Sequence, residues 1–308
     1  MTIYALSSGP GISGIAVIRV SGSKTKDILS LITNGKLPKA RVATLKKIIN
    51  PNTGELIDEG ILIWFKGPSS YTGEDMAEMH VHGSKAVIQE IQNVLAEFNE
   101  CRLADPGEFT KLAFQNNKIN LLKAESVGDL IAAETELQRK QALRIMSGDS
   151  SKKFNTWRDD LIKILADIEA KIDFPDEEIP SDISKEIKLK GEKIKNEIKK
   201  TLDDNKVGEI IREGFKIAII GPPNVGKSSL LNYLSKREAA IVSEKAGTTR
   251  DVIEVHLDID GIPVIVSDTA GIRDSSDDIE ARGVKLAMNR AEEADLNIVL
   301  LDPKNLDF

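Results

Sequence analysis

The run Gly221-Pro-Pro-Asn-Val-Gly-Lys227-Ser228 constrains this chain more than any other, because it fixes a strand, a loop and a helix in order. Two glycines with four residues between them, then Lys and Ser, let backbone N–H groups wrap a phosphate chain. Lys227 can then reach the outer phosphates, and the Ser228 hydroxyl can hold Mg²⁺. The flanks agree with that reading rather than with a glycine turn between unrelated elements. Phe215-Lys-Ile-Ala-Ile-Ile220 is a short apolar run of the buried-strand type, and Ser229-Leu-Leu-Asn-Tyr-Leu-Ser235 reads as the start of a helix.

Ahead of this segment lie two stretches of different texture. Residues 1–118 alternate short apolar runs with glycine and proline turns, which predicts a mixed α+β domain. Ile15–Val20 and Ile61–Phe65 read as strands, Met79–His82 as a third, and Lys85–Phe98 as a helix with Val87, Ile88, Ile91, Val94 and Leu95 on one face. Residues 119–212 read as helical. Apolar positions recur at threes and fours over Leu121–Met146, and Trp157, Leu161, Leu165, Ile168 and Ile172 mark one face of a second long helix. That pattern stops at Phe174-Pro175, since proline disfavours helical geometry in the residue before it. Ser184–Val207 is rich in Lys and Glu, with Ile187, Ile194, Ile198 and Leu202 on a narrow stripe. It reads as an exposed helix packing one edge on its neighbours, with a disordered charged linker as the alternative, because Gly191 interrupts the pattern. Residues 213–308 read as a P-loop α/β domain. Ile253, Val255, Leu257 and Ile259 alternate with polar residues, Asp260-Gly261 signals a hairpin, and Val264–Val266 supplies the return strand.

Composition narrows the setting. No apolar run in the 308 residues approaches the ~20 needed to span a membrane, and the N-terminus lacks the basic start of a secretory signal. Cys101 is the single cysteine, so an internal disulfide cannot form and a reducing cytoplasm is the expected location. A net charge of −7 argues against a general nucleic-acid coating protein. The basic cluster Lys36, Lys39, Arg41, Lys46 and Lys47 reads as a solvated face that a shaped RNA could still use.

A phosphate loop implies a nucleotide; two further segments imply a reaction. Asp268-Thr-Ala-Gly271 directly follows an apolar strand, where the acid can hold Mg²⁺ through water and the glycine N–H can meet a γ-phosphate. Gly247-Thr-Thr249-Arg-Asp251 lies between, with a threonine able to complete the Mg²⁺ shell. Three such segments in this order point to a switch-type GTPase. In the first domain, Arg19 interrupts an apolar strand, while Glu78, His80 and His82 share one strand face. Charges in such places need partners, which an Arg19–Glu78 pair would supply. A metal on Glu78, His80 and His82 is the other reading, though no fourth ligand lies nearby in sequence.

Gly221–Ser229, Arg237-Glu-Ala-Ala-Ile-Val242, Ala246–Val252 and Asp268–Gly271 resemble the tRNA-modification GTPase family called MnmE or TrmE. So do Tyr71-Thr-Gly-Glu-Asp75, Asp105-Pro-Gly-Glu-Phe-Thr110, Ala124-Glu-Ser-Val-Gly-Asp-Leu-Ile131 and Ile172-Asp-Phe-Pro-Asp-Glu-Glu178, so the resemblance covers essentially the whole chain. It implies an N-terminal domain that dimerises and binds 5-formyltetrahydrofolate, then a helical domain into which a GTPase domain is inserted. It implies a homodimer that joins an FAD-dependent partner in a heterotetramer. Together these install a (carboxymethyl)aminomethyl-type substituent at carbon 5 of the wobble uridine of certain tRNAs. GTP hydrolysis is expected to drive dimerisation of the GTPase domains, with Mg²⁺ and K⁺ bound.

The resemblance also assigns residues. Nucleotide contacts fall on Asn224, Val225, Gly226, Lys227, Ser228 and Ser229, then on Ser243, Glu244, Lys245, Ala246, Gly247, Thr248 and Thr249, and on Asp268, Thr269, Ala270 and Gly271. Mg²⁺ falls to Ser228 and Thr249, and K⁺ to Asn224, Ser243, Lys245 and Thr248. Ile272 stands where Ras-like enzymes place a water-orienting glutamine, and no arginine finger is evident, so K⁺ takes the arginine's electrostatic part. Glu280 matches the family's water-orienting acid. Arg19, Glu78 and Lys118 match its tetrahydrofolate contacts.

One departure stands out. The N-K-x-D motif that reads guanine is absent, and the chain ends at Phe308 soon after the apolar run Asn297–Leu301, short of the roughly 150 residues of such a domain. The family's last helices and C-terminal Cys-x-Gly-Lys motif are absent too, and Cys101 does not inherit that role. The expectation is a C-terminally truncated member, either GTP-hydrolysing or reduced to a folate-binding, dimerising fragment. Val299, Leu300 and Leu301 are then expected to be poorly covered.

Overall fold

The computed structural model describes residues 1–35, 37–173, 183–203, 206–222, 225–236, 240–241, 254–268 and 289–302. Two compact units divide the chain at Ala124 and Glu125.

The first unit is built on one mixed sheet with the strand order β3-β4-β5-β2-β1-β6. Its strands are β1 (Thr2–Leu6), β2 (Ser13–Ser21), β3 (Thr44–Ile49), β4 (Leu56–Phe65), β5 (Met76–Gly83) and β6 (Cys101–Leu103). Alternation sorts each strand's residues between two faces. Ile18 and Val20 of β2, Met79 and Val81 of β5 and Leu62 of β4 face one way and are almost completely buried. Helices α1 (Thr25–Ile32) and α2 (Lys85–Ala96) supply Ile28, Leu29, Ile32, Ile91, Val94 and Leu95 to the same core. Burying each such side chain is worth about 1.5–3 kcal/mol. Ser84 caps α2 by accepting from the Val87 N–H at 3.2 Å. The opposite face is left to Arg19, Glu78 and His80, with Arg19 directly across from Glu78 in the β2–β5 register. A third helix, α3 (Glu108–Gln115), carries Phe109 and Thr110. Half-buried Cys101 lies on β6, where burial pushes its thiol pKa up to about 11.

Helices α4 (Leu121–Ala132), α5 (Glu136–Met146), α6 (Asp149–Asp173), α7 (Ile183–Leu202) and α8 (Val207–Glu213) follow. The apolar recurrence over Leu121–Met146 is broken into two helices rather than one. Thr135 caps α5 in a box, accepting from the Gln138 N–H while Gln138 Oε1 accepts from the Thr135 N–H at 3.0 Å. Periodicity runs through that break because an in-phase cap leaves the apolar spacing intact. Helix α6 is described as far as Asp173, and the expected stop at Phe174-Pro175 lies outside the described residues. Its buried face differs from the expected stripe. Trp157 and Ile164, two turns apart, pack on Ile194, Ile187 and Ile198 of α7, whereas Leu161 (49%), Leu165 (53%) and Ile172 (69%) are exposed. The Lys/Glu-rich segment is the helix α7, and Leu202 at the end of its stripe is exposed. The contacts Lys153–Thr201, Trp157–Glu197, Lys190–Asp167 and Lys171–Ser184 make α6 and α7 antiparallel.

The last sheet has the order β11-β7-β10-β9-β8. It comprises β7 (Phe215–Ile220), β8 (Ala240–Ile241), β9 (Glu254–Ile259), β10 (Ile262–Asp268) and β11 (Leu296–Val299). Strands β10 and β11 lie parallel to β7 on either side of it, and β9 and β8 continue antiparallel. Helix α9 (Lys227–Ser235) covers one face, with Leu231 against Ile219, Val255, Leu257, Val264 and Val266. Helices α5 and α8 pack against β10. Leu300 is packed on the core, while Val299 and Leu301 stay exposed. The architecture is thus an α+β N-terminal domain, a helical segment and an α/β domain with the phosphate loop after its central parallel strand. Among the described residues no helix is long and apolar enough to cross a membrane.

Candidate functional site

Strand β7 runs straight into the phosphate loop, and α9 starts at its end. Gly226 caps that helix with φ +103°, a left-handed geometry that a side chain would strain. Lys227 is the first helical residue and is buried although charged. Its ammonium donates to the carbonyls of Gly221 at 2.7 Å and Pro222 at 2.8 Å, so the side chain is folded over the loop's own backbone. Ser228 and Ser229 lie exposed on the first turn of α9. Register places the neighbours: Asp268, the last residue of β10, pairs with Ile219, and Val299 of β11 pairs with Ile220. Three parallel strands therefore end together beside the loop. The chain leaves β7 for one neighbour and returns on the other side of it, which makes the crevice at these carboxyl ends the natural ligand position in an open α/β sheet. The helix N-terminus and the buried ammonium both favour an anion there.

A second constellation lies on the open face of the N-terminal sheet. Arg19 donates from Nε and Nη2 to Glu78 Oε1 at 3.1 and 2.7 Å. Its guanidinium lies 5.6 Å from the Tyr71 ring centre and 5.4 Å from that of Phe109, within cation–π range. His80 Nε2, a buried atom 3.5 Å from Glu78 Oε2, has no hydrogen-bond partner among the described residues. Lys118 donates to Pro68 O at 2.8 Å. The Tyr71 and Thr110 hydroxyls are 3.0 Å apart, which ties the 66–75 loop to α3. Two aromatic rings, a carboxylate and an imidazole nitrogen gathered on one sheet face suit a flat heterocycle with hydrogen-bonding edges.

His82 does not join this group. Its backbone N–H and ring Nδ1 both donate to Asp58 at 2.8 Å. Burial alone would raise the Asp58 pKa, but these donors outweigh it and hold the carboxyl below its ordinary range. Among the described residues no cluster of three His, Cys, Asp or Glu side chains could hold a metal ion. Asn224, Ser243–Thr249, Thr269, Ala270, Gly271 and Glu280 lie outside the described residues, and Asp268 is placed by its backbone. The sequence reading missed Tyr71 and Phe109 as ring partners of Arg19. Both stand in segments quoted for the resemblance, yet only the fold brings them to β2.

The family described as GTP-binding protein TrmE N-terminus matches residues 2–118, and that described as MnmE helical domain matches residues 121–302. A protein of Pelagibacter ubique named tRNA modification GTPase MnmE is 66% identical over 308 residues, all of this chain and 70% of that relative. Proteins of the same name from Rickettsia akari and Rickettsia rickettsii are 50% and 52% identical over 307 residues, 99% of this chain and 69% of each relative.

Proposed function

Because this chain belongs to the MnmE family of tRNA modification GTPases, we propose that it binds and hydrolyses GTP in support of wobble-uridine modification. One observation carries this reading: the phosphate loop, with its buried Lys227, opens where β7, β10 and β11 end together. Backbone N–H groups of the loop and the N-terminus of α9 would hold the phosphates. Phosphate oxygens are stronger acceptors for the Lys227 ammonium than the two carbonyls it now meets. Ser228, on the first turn of α9, suits a Mg²⁺ ligand, and Asp268 ends its strand at the same level. Thr249 would complete that shell. Mg²⁺ and K⁺ supply positive charge against the developing negative charge of phosphoryl transfer. The K⁺ positions Asn224, Ser243, Lys245 and Thr248 and the water-orienting Glu280 stand on the family resemblance.

The domain assignment belongs to the same proposal: 1–118 for folate and dimerisation, 119–212 as the first helical part, and 213–308 for GTP. Arg19, Glu78 and Lys118 would bind 5-formyltetrahydrofolate, with Glu78 accepting from the amino-pyrimidine edge. Tyr71 and Phe109 offer faces to the ring. A homodimer, an FAD-dependent partner, tRNA and a cytoplasmic setting complete the reading.

Binding of a fluorescent GTP analogue, competed by GTP and by ATP, tests it. Displacement by GTP alone, with hydrolysis faster in K⁺ than in Na⁺, is the expected result. Absence of binding would reduce the chain to a folate-binding, dimerising module. Glu280→Ala is expected to lower turnover at least tenfold with little change in GTP affinity; equal loss of both would remove Glu280 from the catalytic part.

A further inference from the structure

The β9–β10 ribbon joins two places that concern the nucleotide. In sequence, β9 follows Gly247–Asp251 and β10 leads into Asp268–Gly271. In space, the Asp268 end of β10 lies beside Ile219, next to the phosphate loop. The other end is a two-residue turn, Asp260-Gly261, with φ +52° and +86°. The Gly261 N–H donates to Asp258 Oδ1 at 2.6 Å, which closes the turn. The register from Ile262–Ile259 to Ser267–Glu254 is continuous, so the ribbon moves as one body about 20 Å long.

That body is fastened to the start of α5. His256 Nδ1 donates to Glu134 Oε2 at 2.9 Å, with about three-quarters of both side chains covered. A Cβ on Gly261 would sit 3.3 Å from Leu137 Cγ, so the turn rests directly on that side chain. Glu134 is itself held, because its N–H donates to Gln138 Oε1 at 2.9 Å, and Gln138 Nε2 donates to Arg212 O at 3.3 Å. Arg212 Nε in turn donates to Asp129 Oδ1 at 2.9 Å. The seat is therefore a linked polar group spanning α4, α5 and α8.

We propose that Glu134, His256 and Leu137 form a joint through which the position of the β9–β10 ribbon, and so the occupancy of the phosphate loop, is coupled to the α4–α5–α8 helices. None of the three belongs to the segments assigned to the nucleotide; they are positioning residues. This rests on the nucleotide-binding reading above. A ribbon fixed at its turn cannot shift at Asp268 without stretching the His256–Glu134 bond, so the joint favours one nucleotide state over the other. By linkage, removing it changes the two affinities unequally.

The test is the ratio of dissociation constants for GDP and a non-hydrolysable GTP analogue. It is measured on the full chain and on Glu134→Ala, His256→Ala and the double variant. The expected result is a ratio shifted roughly fivefold in each single variant, with no further shift in the double. Packing alone would lower the melting temperature and leave the ratio at the wild-type value, and that outcome overturns the joint. If either variant fails to fold, Leu137→Ala carries the same comparison. A wild-type chain that binds neither nucleotide overturns the nucleotide reading itself, and the joint with it.

Discussion

Arg19 sits between Ile18 and Val20 on a strand whose other face is core, so its charge had to find compensation on the open face. That need was legible from alternation alone, and so was Glu78 as the candidate partner. The two rings flanking the guanidinium were not, because Tyr71 belongs to a loop and Phe109 to α3, and no local period links either to β2. Glu78→Gln keeps the shape and removes the charge. Because the pair is partly exposed, its loss is expected to change stability by no more than about 1 kcal/mol. Tetrahydrofolate affinity is expected to fall at least tenfold, read by titration of the ligand's intrinsic fluorescence. An unchanged affinity would remove Glu78 from the folate contacts.

At the level of elements, hydrophobic period found the long strands and helices but not their ends. The strands of the β9–β10 hairpin were legible because alternation and an Asp-Gly turn agree. The α4–α5 break was signalled only by Thr135 three residues before Gln138, a weak pattern beside an unbroken apolar spacing. The face of α6 was misjudged for a different reason: several apolar stripes run along a 25-residue helix, and tertiary contact with α7 selected the one through Trp157 and Ile164. Strand β6 has only three residues, too few for a period to show, and β1 (Thr-Ile-Tyr-Ala-Leu) and β3 (Thr-Leu-Lys-Lys-Ile-Ile) carry no clean polar–apolar alternation. The cap itself is testable. Thr135→Ala is expected to cost about 1 kcal/mol in denaturant unfolding, with the loss centred on α5 amides in hydrogen exchange. A shift within ±0.3 kcal/mol would mean the Gln138 bonds alone hold the helix start.

On the scale of the whole chain, the described core clusters fall in two compact units, which gives two sources of stability. Acid should find the N-terminal one through Glu108. Arg102 donates to that carboxylate at 2.9 and 2.5 Å and, with the Asp105 N–H, holds its pKa below the ordinary value despite burial. A depressed carboxyl stabilises the fold fully above its unfolded pKa, near 4.3. That contribution is lost as pH falls through the lower folded value. Unfolding of a Trp157→Phe chain, in which Trp64 is the one remaining tryptophan, is therefore expected to become easier below about pH 4. Glu108→Gln should flatten that dependence; an equally steep loss would place the acid response elsewhere. Cys101 has a practical consequence at the same scale. With a pKa of about 11, its sulfur is a thiolate in only about one molecule in ten thousand at neutral pH. Alkylating reagents should pass it by, and a cysteine introduced on an exposed helix would take a fluorophore or spin label almost alone. The wild-type sequence is thus already a quiet background for distance measurements across the ribbon and the helices it rests on.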